Sequence, residues 1–341
     1  MTTSKLPPIR RTAPYVRDLL SQGFTLVNQG KVRDAFAIPG IPGAILLVAS
    51  DGISIYDFVL PSVIPSKGEI LTTLTHFWMN VIFPDILSDQ VAMNMTQYLR
   101  KRYSAIPAKR SLVVYDLKMM PYEMIFRYHL GGSIFREYQE KGTAAGQSMP
   151  VGLPRWAKLN VPVFTPSTKE FKGHDVNIMA EEFFARTGSL GRMAVERLEN
   201  LYITAYGYAF SRGIIILDTK FEVGNAIAPW ARGTLRVADE VLTPDSSRFA
   251  MVEDVQEALR SKQDPRFFDK QMVRDWGAQI ETPWGPGIGN LDPRNPDHVS
   301  FVREHCVIPP SLVEETRARY HRLFQMLTGY TLEEYQREFF S

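Results

Sequence analysis

Three charged side chains alternate along a segment that otherwise has the composition of a buried strand. Segment 213–224 contains four consecutive aliphatic residues, followed by Asp218, Lys220 and Glu222. Because successive side chains of a strand point to opposite faces, this spacing places acid, base and acid on one face. Such a face can hold a charged ligand. It can also be a ladder of surface ion pairs, which contribute little to stability.

A second carboxylate follows on the next predicted strand. Residues 234–240 can return antiparallel to the first strand, which would bring Asp239 close to Glu222. Two adjacent carboxylates repel each other unless a cation lies between them. Mg²⁺ is one such cation, because it favours one or two carboxylates together with phosphate oxygens. The other solution is neutralisation by Lys220 or a neighbouring arginine.

Two cations flank a glycine near the N-terminus, between two strand-like segments. In Gly30-Lys31-Val32-Arg33-Asp34, backbone N–H groups and the side chains of Lys31 and Arg33 can bind phosphate. The segment is not a Walker A loop, which needs a second glycine before Lys-Ser/Thr. A hairpin turn with exposed charges has the same composition, so both interpretations stay open.

Further cations stand at predicted strand ends and turns. Arg127 lies late in a strand, just before a Gly-Gly-Ser turn in which Ser133 offers a hydroxyl and an N–H group to an oxyanion. Arg248 follows a Pro-Asp-Ser-Ser turn, and its guanidinium suits phosphate or carboxylate, although a solvated arginine gives the same pattern. Lys169 and His174-Asp175 share one loop, and His174 next to Asp175 is too little to indicate acid–base catalysis. Taken together, these groups match the needs of an enzyme that binds several anionic substrates around Mg²⁺.

The elements that must position these residues are predicted as two lobes. Residues 1–118 read as a β-rich lobe and residues 119–341 as a larger α+β lobe, because Pro121 interrupts the pattern between them. Residues 141–166 and 277–297 are rich in glycine or proline and are predicted to be irregular. Strands are predicted at 24–27, 44–49, 111–117, 122–128, 213–224 and 234–240. Helices are predicted at 68–78, at 191–210, at 311–327 before a stop at Gly329, and from a capping box at Thr331.

The composition excludes several classes of protein. A chain of 341 residues with 45% hydrophobic content can bury a sizeable core. The 39 basic and 37 acidic residues give a net charge of +2, which argues against a dedicated nucleic-acid or membrane-surface protein. The single cysteine, Cys306, excludes an intramolecular disulfide and fits a reducing compartment. The sequence shows neither a signal-peptide pattern nor an apolar run of about 18 residues, so we expect a cytoplasmic protein.

In their order along the chain, these motifs resemble the SAICAR synthetase (phosphoribosylaminoimidazole-succinocarboxamide synthase) family. The resemblance covers roughly residues 20–330, and its most specific block is Asp-Glu-Val-Leu-Thr-Pro-Asp-Ser-Ser-Arg at 239–248. The other matching blocks are 30–34, 50–57, 64–68, 164–175, 218–222 and 269–271. The resemblance implies an α+β, two-lobed fold with an antiparallel sheet in the N-terminal lobe and a larger, ATP-grasp-like lobe.

The resemblance also implies a reaction. The family uses ATP to join the carboxylate of carboxyaminoimidazole ribotide (CAIR) to the amine of L-aspartate, in de novo purine biosynthesis. The products are SAICAR, ADP and phosphate, and an acyl phosphate is the expected intermediate. ATP and Mg²⁺ are the implied cofactors. Small-molecule substrates are the implied partners, without nucleic acid or membrane, and the chain is either a monomer or a small homo-oligomer.

Carried over to matching positions, the family's site residues fall into groups. The implied ATP-binding residues are Gly30, Lys31, Arg33, Leu117, Met119 and Glu222, with adenine at 117–119. The implied Mg²⁺ ligands are Glu222 and Asp239. The implied catalytic residues are Lys220, Lys169 and Asp239, where the lysines neutralise charge near the reacting carboxylate. The implied CAIR-binding residues are Arg127, Ser133, Asp175 and Arg248, of which Ser133 and Arg248 would hold its phosphate.

Three positions depart from the usual family pattern. Many members have an arginine at the position of Gly52, an acidic residue at that of Val176 and a tryptophan at that of Ala250. One alternative is therefore a paralogous amide ligase that uses a different carboxylate or amine. A nucleotide-binding relative without turnover is a second. A protein kinase ranks low, because the His-Arg-Asp and Asp-Phe-Gly signatures are missing.

Overall fold

A four-stranded antiparallel sheet forms the first part of the fold. The computed structural model describes residues 14–86, 88, 90, 93–169, 176–227 and 231–340. The strand order is β1–β2–β3–β6, with β1 at Thr25–Gln29, β2 at Arg33–Ala37, β3 at Ala44–Ala49 and β6 at Ser111–Tyr115. A separate hairpin consists of β4 (Gly52–Ile55) and β5 (Phe58–Val63). The helices of this part are α1 (Pro14–Ser21), α2 (Lys67–His76) and α3 (Met93–Arg102).

A seven-stranded sheet forms the second part, with strand β13 (Ile214–Ala226) at its centre. This strand pairs antiparallel with four others, namely β7 (Leu117–Met119), β8 (Tyr122–His129), β14 (Leu235–Ala238) and β15 (Ser247–Met251). Strands β11 (Lys158–Phe164) and β12 (Ser167–Thr168) pair with β8. Helix α5 (Ala180–Phe210) packs a buried stripe that includes Ala194, Leu198 and Leu201 into the core of this sheet.

The remaining elements are short apart from one long helix. They are α4 (Ser133–Lys141), β9 (Thr143–Ala144), β10 (Gln147–Ser148), α6 (Val252–Ser261), α7 (Gln271–Ala278), β16 (Glu281–Thr282), β17 (Gly285–Pro286), α8 (Pro296–His305), α9 (Pro310–Thr328) and α10 (Leu332–Phe339). Gly329 ends α9 in the left-handed conformation, and Thr331 with Glu334 forms the predicted capping box of α10. Among the described helices, none is both long and apolar enough to cross a membrane.

Several predictions from the sequence were wrong, either in a boundary or in the kind of structure. The helix predicted at 191–210 begins already at Ala180, and its two segments meet at Gly188, where φ is 61° and ψ is −140°. The prediction of an irregular 141–166 missed β11. Pro162 suggested a loop, yet it falls where the pairing of β11 with β8 shifts register, so the missing N–H group costs no ladder hydrogen bond. The region predicted to be irregular at 277–297 holds the last two residues of α7, the β16–β17 hairpin, a 3₁₀ turn and the start of α8.

The C-terminal helices return to the N-terminal elements. Helices α9 and α10 contact α2, and α8 contacts β5. Residues of the β4–β5 hairpin and of the segment 273–308 form one hydrophobic cluster, in which Ile53, Phe58 and Val302 are buried. The division into lobes at 118 stays a prediction.

The close approach of α2 to β3 gives a prediction about stability. A Cβ atom on Gly68 would lie 2.8 Å from the carbonyl oxygen of Ala49, whereas a Cβ on Gly207 would meet no atom within 4 Å. Both glycines are helical, so helix propensity alone favours alanine at both. We expect Gly207→Ala to stabilise the protein by about 0.5–1 kcal/mol and Gly68→Ala to destabilise it by about 1–3 kcal/mol. Urea unfolding of both variants tests this, and equal shifts would contradict the packing of α2 on β3.

Candidate active site

Asp218 lies between two arginines from the neighbouring strands. In the sheet register, Asp218 is paired with Arg127 of β8 on one side and with Arg248 of β15 on the other. The Nη1 atom of Arg127 lies 2.5 Å from Asp218 Oδ2, and Arg248 donates from Nε to Asp218 Oδ1 at 2.9 Å. Burial favours the neutral acid, but the charges of Arg248 and Arg127 lower the pKa of Asp218 to about 2. Two guanidinium groups therefore face one carboxylate, which leaves an excess of one positive charge.

The start of α4 adjoins this arginine cluster. A Cβ atom on Gly132 would lie 2.9 Å from Arg248 Nη2, so the guanidinium borders the backbone directly before Ser133. Ser133 is the first residue of α4, and no side chain caps this helix end. Free N–H groups and the helix dipole favour anions at such an end. The structure thus brings together Arg127, Ser133 and Arg248, which the sequence suggested separately. Asp175, the fourth predicted CAIR-binding residue, lies outside the described residues.

Lys220 and Glu222 share the face of β13 with Asp218, as the period-two spacing predicts, and each has a counter-charge. Lys220 Nζ lies 2.6 Å from Glu123 Oε2, and Lys169 Nζ lies 2.5 Å from Glu222 Oε1. Burial lowers the pKa of Lys169, but the charge and hydrogen bond of Glu222 outweigh it and raise that pKa above its ordinary value. Both lysine side chains are about half exposed, at 47% and 48%, so they border the open side of the face.

Asp239 lies beside Glu222, as the predicted hairpin requires. Glu222 is paired with Ala238 in the β13–β14 register, so Asp239 follows directly at the end of β14. Burial and the charge of Asp239 raise the pKa of Glu222 to about 7. Arg33 pairs with Asp239 through Nη1 and with Glu240 through Nη2, the second contact being 2.6 Å long. Arg33 and Lys169 therefore neutralise part of the negative charge of Asp239 and Glu222, whereas Lys220 pairs with Glu123.

The residues at this end of the face could hold a divalent cation only together with a ligand. Among the described residues, no group of three or more His, Cys, Asp or Glu side chains is arranged to bind a metal. Glu222 and Asp239 alone supply two carboxylates, which is the protein share of a typical Mg²⁺–phosphate site. Asp239 adopts the left-handed conformation, with φ at 62°. Strained residues of this kind persist where the surrounding structure holds them, often at functional sites.

The segment around Gly30 forms a closed turn. The N–H group of Gly30 donates to the carbonyl oxygen of Arg33 at 2.7 Å, so the hairpin interpretation describes its backbone. Lys31 forms an ion pair with Asp57 at the tip of the β4–β5 hairpin. Tyr56 and Asp57 both have positive φ in this two-residue turn. The role of Lys31 toward phosphate stays a prediction.

The predicted adenine segment lies against the central strand. Met119 of β7 is paired with Gly224 of β13, and a Cβ on Gly224 would lie 2.9 Å from the Cβ of Leu117.

A narrow cleft between the four-stranded sheet and α2 reaches Asp239. It is lined by Arg33, Leu47, Ala49, Thr72, Thr75, Leu112, Val114 and Asp239. The cleft offers apolar surface from the sheet and charged groups at one end.

Sequence reasoning missed a buried ion cluster beneath the turn that precedes Arg248. Lys67 is fully buried, and its Nζ atom lies 2.7 Å from Asp245 Oδ2. Tyr320 donates to Asp245 Oδ1 at 2.8 Å, and Lys270 Nζ lies 3.8 Å from Oδ2. Burial favours the neutral acid, but Lys270 and Lys67 hold the pKa of Asp245 well below its usual range. Lys67, Asp245 and Lys270 all lie in the matching motif blocks, and those blocks were the signal that could have found them.

Comparisons with known proteins identify the family of this chain. The sequence profile described as SAICAR synthetase matches residues 26–289. The phosphoribosylaminoimidazole-succinocarboxamide synthase of Schizosaccharomyces pombe is 35% identical over 320 residues, which cover 91% of this chain and 96% of that protein. The synthase of the same name from Actinobacillus succinogenes is 38% identical over 304 residues, covering 89% and 97%.

Solved structures show the same fold. A SAICAR synthase from Saccharomyces cerevisiae, complexed with SAICAR, superposes with a TM-score of 0.70 at 32% identity, covering 90% of this chain and 96% of that chain. A type-2 SAICAR synthetase in complex with ADP superposes with a TM-score of 0.59, covering 89% and 98%. At 18% identity this second similarity concerns the fold alone.

The family profile and the relatives of the same name together define an enzyme of the ligase class with an α+β fold. The chain belongs to the SAICAR synthetase family, whose named members carry out a ligase step in purine biosynthesis. The predicted family and fold class are thereby confirmed.

The raised pKa of Glu222 makes stability depend on pH. As the pH rises, the unfolded chain loses this proton near 4.5 and the folded protein near 7. The stabilisation is therefore complete below about pH 4.5 and is lost as the pH rises to about 7. Glu222→Gln cannot ionise, so its melting temperature should rise relative to wild type between about pH 5 and about pH 8. Parallel melting curves over that range would contradict the raised pKa.

Proposed function

We propose that the protein catalyses ATP-dependent amide formation between the carboxylate of CAIR and the amine of L-aspartate, in de novo purine biosynthesis. The carrying observation is the separation of charge along the face of β13. At one end Arg127 and Arg248 outnumber Asp218. At the other end Glu222, Asp239 and Glu240 outnumber Arg33 and Lys169. One end thus suits an anion and the other a cation.

The negative end fits a nucleotide with its divalent cation. Glu222 and Asp239 would hold Mg²⁺, which when bound offsets negative charge on the phosphates of ATP. Arg33 of β2 pairs with Asp239, so its guanidinium would also lie close to a phosphate bound beside Asp239. Leu117 and Met119 would border the adenine. The type-2 SAICAR synthetase of similar fold was solved in complex with ADP, which supports a nucleotide as a ligand of this fold.

The positive end fits the phosphate of CAIR. Arg248 and the first N–H groups of α4 at Ser133 would bind its oxygens, while Arg127 adds charge from beneath. A guanidinium matches phosphate in a bidentate way, and its strength grows when the site is shielded from water. The relative from Saccharomyces cerevisiae is complexed with SAICAR, which supports a ribotide as a ligand of this chain.

The chemistry then takes place between the two ends, where Lys220 lies, with Lys169 at the border of the negative end. A carboxylate is a poor electrophile, so one of its oxygens attacks the terminal phosphorus of ATP, forming an acyl phosphate and releasing ADP. The amine of aspartate next attacks the acyl carbon. The attacking nitrogen loses a proton, and the bond between the acyl carbon and the phosphate oxygen breaks, which releases phosphate. The two lysines offset negative charge near the reacting carboxylate, and the fixed site lowers the entropic cost of joining three substrates.

The direct test measures ADP release with ATP and Mg²⁺ while CAIR and aspartate are each omitted in turn. Release that requires both substrates, together with formation of SAICAR, supports the proposal. Release that needs neither substrate, or ATP binding without any release, refutes it. A paralogous ligase would instead release ADP only when another carboxylate or amine replaces one of these two. We propose a cytoplasmic location on the basis of the purine pathway.

Asp239→Asn isolates the charge of one proposed Mg²⁺ ligand. Asparagine tolerates the left-handed backbone that Asp239 adopts, so the fold should persist. We expect kcat to fall at least about 100-fold, with a circular dichroism spectrum like that of the wild type. Asp254 is another carboxylate paired with an arginine, Arg266, but it lies outside the site, so Asp254→Asn is the matched control. Turnover of Asp239→Asn at the level of this control would remove Asp239 from the metal site.

Arg248→Ala tests the proposed phosphate contact. Loss of the guanidinium leaves Asp218 with Arg127 and removes the excess positive charge. The KM for CAIR should rise about 10- to 100-fold, as expected for a charge-assisted contact, while the KM for ATP changes little. Steady-state kinetics with each substrate varied in turn provide both values. An unchanged KM for CAIR would refute this role.

A further inference from the structure

We infer that Trp156 is a positioning residue that holds the guanidinium of Arg248 and the Gly131-Gly132 backbone in place for the substrate's anionic group. This inference rests on the proposed function, because it assigns the Arg248–Ser133 end of the site to that group. Trp156 itself lies behind the site and touches the residues that form it.

The backbone of Trp156 is strained and held from both sides. Its φ of 67° places it in the left-handed region, which is rare for a bulky residue. Its N–H group donates to the carbonyl oxygen of Leu130 at 2.8 Å, and its own carbonyl accepts from Nδ1 of His129, also at 2.8 Å. These contacts dock Trp156 onto the end of β8, just before the two glycines. Strain of this kind persists only where the surroundings impose it.

The indole ring fills the space between that backbone and Arg248. Trp156 is 1% exposed, and a Cβ atom on Gly131 would overlap its ring, so only glycine allows this approach. The guanidinium carbon of Arg248 lies 5.0 Å from the ring centroid. An arginine over a tryptophan ring gains a cation–π interaction that strengthens as water is excluded. The ring therefore supports Arg248, while Asp218 fixes the Nε side of the guanidinium.

A carboxylate anchors the far edge of the indole. Trp156 Nε1 donates to Asp264 Oδ1 at 2.9 Å, and Arg155 donates to Asp264 Oδ2 at 3.0 Å. Phe267 packs edge-on against the indole, with 5.4 Å between ring centroids. Asp264, Trp156 and Arg248 thus form a continuous series of contacts, which ends at the backbone of Gly132. Arg248 has no other aromatic support among the ring contacts of the described residues.

Kinetics of Trp156 variants test this role. Trp156→Leu removes the ring face, and its KM for CAIR should rise about 3- to 30-fold while the KM for ATP stays within about twofold. Trp156→Phe keeps an aromatic face and should restore most of the affinity. Trp78 is an equally buried tryptophan whose Nε1 also donates a hydrogen bond, to the carbonyl oxygen of Leu242. Trp78→Phe should therefore lower the melting temperature without changing either KM, and it is the matched control.

Asp264 gives a second, independent variant. Asp264→Asn keeps an oxygen that accepts from the indole, whereas Asp264→Ala does not. The KM for CAIR should therefore rise in Asp264→Ala and return toward the wild-type value in Asp264→Asn. Equal values in both variants, or a KM for CAIR in Trp156→Leu that matches the wild type, would overturn the inference while leaving the proposed reaction intact.

Indole fluorescence separates this inference from the reaction itself. Ribose 5-phosphate binding at Arg248 should change the emission of wild-type protein, and the change should be smaller in Trp156→Phe. If wild type fails to use CAIR but shows this difference, the proposed reaction fails and the positioning role stands. If the emission of the wild-type protein does not respond to ribose 5-phosphate, the positioning role of Trp156 is overturned.

Discussion

The burial of Asp218 between Arg127 and Arg248 is the constraint on which the rest of the site depends. Removing charged groups from water costs several kcal/mol for each ion, and only close, well-aligned partners offset that cost. The three residues are aligned because they are direct neighbours across β8, β13 and β15. A slip of one residue would turn every side chain of β13 to the opposite face. The register of the sheet and the geometry of the site are therefore fixed by the same contacts.

This register also determines what stands farther along β13. With Asp218 on the site face, Lys220 and Glu222 follow on that face, while Phe221 and Val223 enter the core. The charge changes sign along the strand, from an excess of guanidinium groups to an excess of carboxylates. Exposure changes as well, because Asp218 is buried and Lys220 borders solvent. A substrate with a phosphate at one end, and a second phosphate carrier with a divalent cation at the other, matches this distribution.

The sequence was sufficient to predict the elements with strong periodicity or clear end signals. Strand β13, its partner β14 and the capped α10 follow from the period of two, from the adjacent carboxylates and from the Thr-x-x-Glu spacing. It was not sufficient where tertiary contacts override local preference. Strand β11 contains Pro162 and pairs only because β8 lies beside it, and Gly188 joins two helical segments that a local reading separates. The ion pair of Lys31 with Asp57 could not be predicted either, because it depends on the folded β4–β5 hairpin.

Within the site, the sequence predicted residue types better than pairings. It suggested that an arginine or Lys220 neutralises the Glu222–Asp239 pair, and Arg33 and Lys169 do so, while Lys220 pairs with Glu123. Lys169 and Glu222 are 53 positions apart in the sequence, and Arg33 and Asp239 are 206 positions apart. Spacing along the sequence cannot predict partners over such separations. The role of Asp175 stays a prediction.

The turn before Arg248 shows how a site at the end of a strand is kept rigid. Asp245 is held by Lys67 from α2 and by Tyr320 from α9, so elements far apart in the chain fix one turn. Truncating one partner of such a buried pair leaves an uncompensated charge, which makes the arrangement intolerant of partial loss. Arg248 leaves this turn three residues later and meets Asp218 beside it in the sheet. The charge at the positive end is therefore positioned from two directions, by the buried ion cluster along the chain and by the strand register across the sheet.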